Sequence, residues 1–243
     1  MSDKTSTTWY SQRVERDVSM ARWGNFGTPV LVFPTAGGDA EEIERFHLVG
    51  ACADLLAAGR IKIYSVDNVN GRVLLAGEGD SGRQAWIQRQ FFEYVRHEVV
   101  AAIRADCSSD DIEIIATGSS IGAFNALTSL CLFPDVFRVA ICMSGTYDLQ
   151  RFYRGPVGDD FFASSPLHFL PSLAGPTLER LHQRFVILAS GEGANEDIGE
   201  SWRVADVLGS KRIPNRVDSW GPQWEHDWPL WRAMLPGYLA DVA

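Results

Sequence analysis

Residues 112–122 read Ile112-Glu113-Ile114-Ile115-Ala116-Thr117-Gly118-Ser119-Ser120-Ile121-Gly122, a β-rich run that leads directly into a Gly-x-Ser-x-Gly motif. A stretch with helical character, residues 121–132, comes next. Strand, motif and helix in this order are typical of a nucleophile elbow, a sharp turn that lifts a serine hydroxyl clear of a sheet. Side chains at Gly118 or Gly122 would collide with neighbouring backbone in so tight a reversal. The spacing of the glycines therefore selects Ser120, and not Ser119, as the exposed serine.

The length and charge of the chain limit the classes of protein to which it can belong. The chain has 243 residues, 46% of them hydrophobic, so it can bury one substantial core, and we expect a single domain over residues 1–243. The formal net charge is −9, and Lys and Arg form no cluster. We therefore expect binding neither to nucleic acid nor to an anionic membrane surface, because both need a basic patch.

The sequence contains no targeting, membrane or metal signal. No run of about 18 apolar residues occurs, and residues 1–6 lack the apolar core of a signal peptide, so we predict a cytoplasmic protein. The four cysteines show no Cys-x-x-Cys spacing, which predicts reduced thiols. No His-Glu-x-x-His motif or paired Cys/His spacing suggests a metal ion.

Short β-rich runs alternate with helical stretches along the chain. The predicted strands are 30–33, 62–67, 112–117, 139–143, 185–189 and 216–220, and the predicted helices are 85–105, 121–132, 200–208 and 230–242. This alternation predicts a mainly parallel sheet with helices on both faces, and residues 11–22 are candidates for an antiparallel edge hairpin. Sites in such sheets form at the carboxyl ends of the strands, so the loops that follow strands are the candidate site.

His226 is the candidate base for Ser120. A serine hydroxyl needs a positioned base to remove its proton, and imidazole is the usual one. The other four histidines lie in helical stretches or in the loop before the strand 185–189, whereas His226 follows the last predicted strand, in Trp224-Glu225-His226-Asp227-Trp228-Pro229. That position fits the chain order serine, acid, histidine.

The acid that orients the histidine is expected in the loop after the strand 185–189. This loop contains three acidic residues, Glu192, Glu196 and Asp197. Glu192 comes while the glycine-rich turn is still forming, so we favour Glu196, with Asp197 as the alternative. An acidic, solvated loop remains the other interpretation of each of these residues.

Two backbone N–H groups are needed to stabilise the negative charge that develops on an ester oxygen. Ile121, the residue after the candidate nucleophile, is expected to supply one. The loop Pro34-Thr35-Ala36-Gly37-Gly38, which follows the first central strand, is expected to supply the other, with Ala36 preferred over Gly37.

Several of these segments together resemble a known family. They are Phe33-Pro34-Thr35-Ala36-Gly37-Gly38, Thr117-Gly118-Ser119-Ser120-Ile121-Gly122-Ala123, Ser144-Gly145-Thr146-Tyr147-Asp148, Gly191-Glu192-Gly193-Ala194-Asn195-Glu196, and Trp220-Gly221 followed by His226-Asp227-Trp228-Pro229. The combination is similar to the putative esterase family of α/β-hydrolases, which groups esterase D-like enzymes, feruloyl esterases and mycolyltransferases. The similarity runs from about residue 9 to residue 239, and His-Asp-Trp-Pro is its most specific piece.

The resemblance implies an α/β-hydrolase fold and a catalytic triad on Ser120, Glu196 and His226. It also implies an oxyanion site on Ala36 and Ile121. One departure is Ser119, because the serine in that family is often preceded by His or Cys.

Three other segments need an interpretation. Gly77-x-Gly79-x-x-Gly82 matches a dinucleotide-binding pattern, but Glu78 and Asp80 within it would repel a pyrophosphate, so a loop that lines the active site is favoured. The segment 149–176, rich in Phe, Tyr, Pro and Gly, is a candidate small lid or insertion. The tryptophans between residues 220 and 231 either pack the last helix or form an aromatic wall.

From these observations the predicted function is a serine carboxylic ester hydrolase that works without a cofactor, through an acyl-enzyme, on small acyl or aryl esters. A small-molecule ester is the expected partner, and a homo-oligomer is left open. Two alternatives remain: an acyltransferase with the same triad, and a non-catalytic binding module on a hydrolase scaffold.

Overall fold

The computed structural model describes residues 4–243. Eight strands in these residues form one sheet: β1 (Lys4–Ser11), β2 (Arg16–Trp23), β3 (Thr28–Phe33), β4 (Ile61–Val66), β5 (Ile114–Ser119), β6 (Phe137–Met143), β7 (Phe185–Ser190) and β8 (Asn215–Ser219). Their order is β1-β2-β4-β3-β5-β6-β7-β8. Strands β3 to β8 are mutually parallel, whereas β1 pairs with β2 and β2 with β4 in antiparallel fashion. The predicted mainly parallel sheet is confirmed.

Helices connect the strands. They are α1 (Glu42–Arg45), α2 (Leu48–Ala51), α3 (Ala53–Ala57), α4 (Val69–Ala76), α5 (Ser81–Tyr94), α6 (Val100–Asp106), α7 (Ile121–Leu132), α8 (Asp159–Phe162), α9 (Pro166–Phe169), α10 (Pro176–Leu181), α11 (Ile198–Ser210) and α12 (Trp228–Val242). A π-helical segment (Val95–Val99) joins α5 to α6, and 3₁₀ turns cover Leu149–Phe152 and Leu170–Ser172.

The core lies on both faces of the sheet, as the continuous apolar runs of the parallel strands require. Successive side chains of a strand point to opposite faces, and β3 demonstrates this clearly. Leu31 and Phe33 belong to one buried cluster, which includes residues of α5 and α7, and Val30 and Val32 belong to the other, which includes residues of α12. The helices therefore cover both faces, as expected for an α/β-hydrolase fold.

Two sequence expectations need correction in detail. The edge hairpin starts at Lys4 and not at Ser11, because β1 is polar and mostly exposed and so gives no apolar signal. The stretch predicted as one helix over 85–105 is interrupted by the π-helical segment Val95–Val99, where the period of the chain changes. The Gly77-x-Gly79-x-x-Gly82 segment follows helix α4 and not a strand, so the context that a dinucleotide loop needs is absent there.

Candidate active site

Ser120 lies at the sharp junction between β5 and α7, with φ 58° and ψ −124°. A non-glycine residue in such a sparsely populated conformation costs about 1–3 kcal/mol and persists only where its surroundings hold it. Here the Ser120 N–H donates to the carbonyl of Met143 at 3.0 Å, and the Ser120 carbonyl accepts from Thr146 N–H at 3.3 Å. Ser119 is only 4% exposed, whereas Ser120 is partly exposed. Ser120 is therefore the accessible serine of the motif.

The two glycines of the motif allow the backbones to approach each other. A Cβ at Gly118 would lie 2.5 Å from the carbonyl carbon of Gly122 and 2.7 Å from the Phe33 carbonyl oxygen. A Cβ at Gly122 would lie 2.3 Å from that same Phe33 oxygen. Backbone atoms at these positions cannot move aside as a flexible side chain can, so the motif needs glycine at both positions.

Ala36 lies in the loop after β3 and Ile121 at the start of α7 after β5, at the same edge of the sheet. Ile121 is the first residue of α7, and the first N–H groups of a helix have no partner within it. Within residues 4–243, the Ala36 N–H donates no hydrogen bond either. A Cβ at Gly122 would also lie 2.6 Å from the carbonyl oxygen of Pro34, so the start of the helix passes close to the backbone of the 34–38 loop. Free N–H donors in both segments are what the predicted oxyanion site needs.

Buried polar side chains hold the 34–38 loop, and sequence reasoning missed them. The backbone N–H and the hydroxyl of Thr35 donate to Glu42 at 2.8 and 2.7 Å, and burial raises the pKa of Glu42 despite these bonds. The Asn68 amide donates to the carbonyls of Pro34 and Thr35 at 3.0 and 2.8 Å. Asn125 of helix α7 donates to Asn68 at 3.1 Å. The loop and the helix that follows Ser120 are thus joined through buried amides.

Glu196 and His226 form a pair in the loops after β7 and β8. Glu196 Oε2 lies 3.6 Å from His226 Nδ1, and their side chains are 1% and 22% exposed, respectively. Burial alone would raise the pKa of Glu196, but His226 and hydrogen bonds from Ser144 and Ser190 outweigh burial and lower it below its ordinary value. Glu196 is therefore a carboxylate at neutral pH, placed to orient an imidazole.

The other two acids of the loop have different partners. Glu192 is exposed and accepts from the Ser219 hydroxyl at 2.6 Å. Asp197 caps helix α11 by accepting from Gly199 N–H at 3.0 Å. Of the three candidates, Glu196 alone contacts His226 in the described structure.

Three residues around Glu196 were given no individual role by the sequence reasoning. The hydroxyls of Ser144 and Ser190 donate to opposite oxygens of the Glu196 carboxylate. The Trp231 indole donates to Ser144 Oγ at 2.9 Å, and its ring stands edge-on to His226 with centroids 5.3 Å apart. Both serines directly follow or end a predicted strand, which was the signal that could have identified them.

The tryptophans of the last segment are mainly packing residues. Trp228 and Trp231 are buried at the start of α12 with ring centroids 5.0 Å apart, and Trp220 donates to the Tyr238 hydroxyl at 2.9 Å. Phe46 stacks on Trp228 at 4.6 Å and remains 43% exposed, so one aromatic surface of this group reaches the solvent.

The candidate residues lie along one edge of the sheet, at the carboxyl ends of adjacent strands. Ser120 bonds to the loop after β6, that loop bonds through Ser144 to Glu196, and Glu196 faces His226. No hydrogen bond joins Ser120 directly to His226 in residues 4–243. Such bonds are often long in unliganded enzymes and tighten when substrate binds.

The segment predicted as a lid or insertion packs against helix α5. Gln88 of this helix accepts from the Tyr153 hydroxyl and donates to Ser164 Oγ, both at 2.8 Å. Ser81 at the start of α5 donates to the carbonyl of Pro156 at 2.6 Å. These contacts fix where residues 149–176 lie, and their role as a lid stays a prediction.

The described residues give no membrane-spanning helix and no metal-binding cluster. Among residues 4–243, no helix has the length and apolar character needed to cross a membrane. In the same residues, no group of three or more His, Cys, Asp or Glu side chains is arranged to hold a metal ion.

Solved structures of several hydrolases resemble this fold. A ferulic acid esterase superposes with a TM-score of 0.75 at 14% identity, covering 100% of this chain and 98% of that chain. An S-formylglutathione hydrolase from Agrobacterium tumefaciens has a TM-score of 0.74 at 12% identity, with coverage of 98% and 93%. The enterobactin esterase FES from Shigella flexneri has a TM-score of 0.69 at 15% identity, covering 98% of this chain and 58% of that chain. At these identities the likeness shows the α/β-hydrolase fold.

Sequence comparison gives the family. No curated protein sequence matches the chain significantly. The family model described as Putative esterase matches residues 57–242, well over half of the chain. The chain belongs to the putative esterase family of α/β-hydrolases.

Proposed function

We propose that this protein is a serine carboxylesterase that hydrolyses small acyl or aryl esters through an acyl-enzyme. Ser120 is the nucleophile, His226 the general base and then acid, and Glu196 the residue that orients His226. The N–H groups of Ala36 and Ile121 bind the oxyanion. The family and the fold support ester hydrolysis in general.

The observation that carries the proposal is the strained conformation of Ser120. A serine with φ 58° between a strand and a helix, flanked by glycines that no other residue can replace, has no evident structural purpose. Strain of this kind is concentrated at functional sites, where surrounding contacts compensate for it. The Glu196–His226 pair, at the same edge of the sheet, supports a catalytic role for the strained serine.

The proton transfers follow from which imidazole nitrogen faces the acid. His226 Nδ1 faces Glu196, which leaves Nε2 to accept the proton from Ser120 Oγ as it attacks the ester carbonyl. His226 then gives this proton to the departing alcohol, and the acyl group stays on Ser120. In the second half of the reaction His226 takes a proton from water, the hydroxide attacks the acyl carbonyl, and the acid leaves as Ser120 regains its proton.

Small acyl and aryl esters are proposed as the substrate class on two grounds. Similar structures include proteins named ferulic acid esterase and enterobactin esterase, both with names that indicate ester cleavage. The aromatic surface of Phe46 on Trp228 offers a partly exposed apolar contact next to the segment that carries His226.

The experiment that tests the proposal is p-nitrophenyl acetate turnover by the wild type, Ser120→Ala and Ser119→Ala. Ser120→Ala should lose turnover, and the buried Ser119→Ala should keep most of it, with both variants folded by circular dichroism. Turnover retained in Ser120→Ala would remove the assignment. Product analysis with an added alcohol separates hydrolysis from acyl transfer, since a transferase forms the new ester in preference to the free acid. A binding module would show no turnover in the wild type.

A further inference from the structure

Ser144, at the first position after β6, has a backbone that only its surroundings can maintain. Its φ is 47°, in the left-handed region that favours glycine, and it is 3% exposed. Its N–H donates to the carbonyl of Ala189 in the neighbouring strand β7 at 2.7 Å, which holds it in place. A strained and buried polar residue in contact with a candidate catalytic acid calls for a functional explanation.

The Ser144 hydroxyl can donate its single proton to only one of its two side-chain partners. An indole N–H can only donate, and Trp231 Nε1 donates to Ser144 Oγ at 2.9 Å. A carboxylate can only accept, and the Ser144 hydroxyl donates to Glu196 Oε1. The order indole, hydroxyl, carboxylate is therefore fixed by chemistry, and aligned bonds of this kind strengthen one another.

Ser190 cannot fix the carboxylate in the same way. Its hydroxyl lies 2.9 Å from Glu196 Oε2 and also 2.9 Å from the carbonyl of Gly191, but it has one proton to donate. Ser144 is therefore the committed donor to Glu196. It holds Oε1, while Oε2 faces the Ser190 hydroxyl at 2.9 Å and His226 Nδ1 at 3.6 Å.

Trp231 contacts His226 directly and Glu196 through Ser144. Its indole reaches Glu196 through Ser144, and its ring packs edge-on against the His226 imidazole at an interplanar angle of 88°. The residue is 3% exposed and packs against Trp228, so it has little freedom to move. One rigid side chain thus sets the place of the base and, through one hydroxyl, that of the acid.

We propose that Ser144 and Trp231 are positioning residues that act as one unit to fix Glu196 and His226 for proton transfer. This inference rests on the proposed function and extends it to two residues that do not touch the reacting atoms. His226 is the titratable group that faces Glu196, while Ser144 and Ser190 are neutral donors. Loss of the Ser144 donor therefore changes both the place of the carboxylate and its ease of protonation.

The test measures two rates in the full chain for Ser144→Ala, Trp231→Phe and the double variant. One is kcat/KM for p-nitrophenyl acetate, resolved into kcat and KM, and the other is the rate at which a fluorophosphonate probe labels the protein, which needs no knowledge of the natural substrate. Ser144→Ala should lower both by about tenfold, the lower end of what a hydrogen bond to a charged group contributes. The loss should fall on kcat while KM changes little, because Ser144 and Trp231 do not touch the reacting atoms.

The double variant tests whether the two residues act together. If Trp231 acts through Ser144, Ser144→Ala/Trp231→Phe should be no more than about twofold slower than Ser144→Ala, whereas independent effects would multiply. Ser172→Ala and Trp202→Phe are matched controls, because both residues are exposed and the Ser172 hydroxyl donates to the carbonyl of Phe169. If Ser144→Ala does not fold, Ser144→Cys, with a similar volume and a weaker donor, should show the same direction of change.

Two results would overturn the inference: rates for Ser144→Ala within about twofold of wild type, or fully multiplicative effects in the double variant. The Ser120→Ala variant distinguishes a failure of the positioning role from a failure of the proposed function. If Ser120→Ala is inactive while Ser144→Ala is unchanged, only the positioning role is lost. If Ser120→Ala is active, the proposed function falls and the positioning role falls with it.

Discussion

Replacing Glu196 with Gln should remove most of the esterase activity while leaving the fold intact. Glu196 Oε2 lies 3.6 Å from His226 Nδ1, and at an effective dielectric constant of about 20 two unit charges at that distance interact by about 4–5 kcal/mol. This attraction exists only when the imidazole is protonated, as it is during acylation. Its loss corresponds to about three orders of magnitude in kcat/KM.

A second effect acts in the same direction. If the Gln amide presents its N–H to Nδ1, the imidazole must carry its own proton on Nε2 and cannot accept one from Ser120. The assay is steady-state hydrolysis of p-nitrophenyl acetate, with circular dichroism and a thermal melt to verify folding.

The loop that contains Glu196 offers two matched controls. Glu192→Gln changes an exposed acid, and Asp197→Asn changes the cap of α11 to another good capping residue, so both should stay within about twofold of wild type. A folded Glu196→Gln variant with kcat/KM within about threefold of wild type would refute the reasoning. So would an equal loss in Asp197→Asn.

Three other changes have defined outcomes. Gly122→Ala places a Cβ 2.3 Å from the Phe33 carbonyl oxygen, so it should lower the free energy of unfolding by about 3 kcal/mol or more and abolish turnover. Gly237→Ala, where an added Cβ has no atom within 4 Å, should raise the melting temperature slightly. Equal melting temperatures of the two variants would contradict this prediction. Asn68→Ala removes the two hydrogen bonds that the Asn68 amide donates to carbonyls of the 34–38 loop, and it should lower kcat about tenfold with little change in KM. An unchanged kcat would show that the loop holds its place without these two bonds. The pKa of Glu196 is lowered from 4.5 in the folded state, so its contribution to stability is complete above pH 4.5 and is lost as the pH falls through the lower folded-state pKa. The difference in the free energy of unfolding between wild type and Glu196→Gln, measured by urea unfolding, should therefore change across that pH range and be constant above it.

The elements that form by local rules were predictable from the sequence. The elbow at residues 118–122 and the parallel strands could be identified because glycine spacing and apolar periodicity act over a few neighbouring residues. The start of the hairpin was missed because β1 is an exposed, polar edge strand with little apolar pattern. The π-helical segment at Val95–Val99 was missed because the apolar residues of 85–105 recur at helical spacing in the sequence on both sides of it.

The contacts within the site could be predicted from the sequence only in part. Loop position singled out Glu196 and His226, but it could not decide between Glu196 and Asp197, because that choice depends on how the loop turns. The structure has Asp197 capping α11, and Glu196 pointing to His226. Ser144 and Trp231 are 87 residues apart, and nothing local to either predicts their hydrogen bond.

The central claim is that the acyl group passes through Ser120, and the most direct measurement is to trap it there. The wild type, Ser120→Ala and Ser119→Ala should be mixed with p-nitrophenyl acetate, quenched in acid within the first turnover, digested and analysed by peptide mass spectrometry. We predict an acetyl group on Ser120 in the wild type and in Ser119→Ala, and none on the corresponding peptide of Ser120→Ala. Acetylation at another residue, or full turnover by Ser120→Ala, would contradict the account.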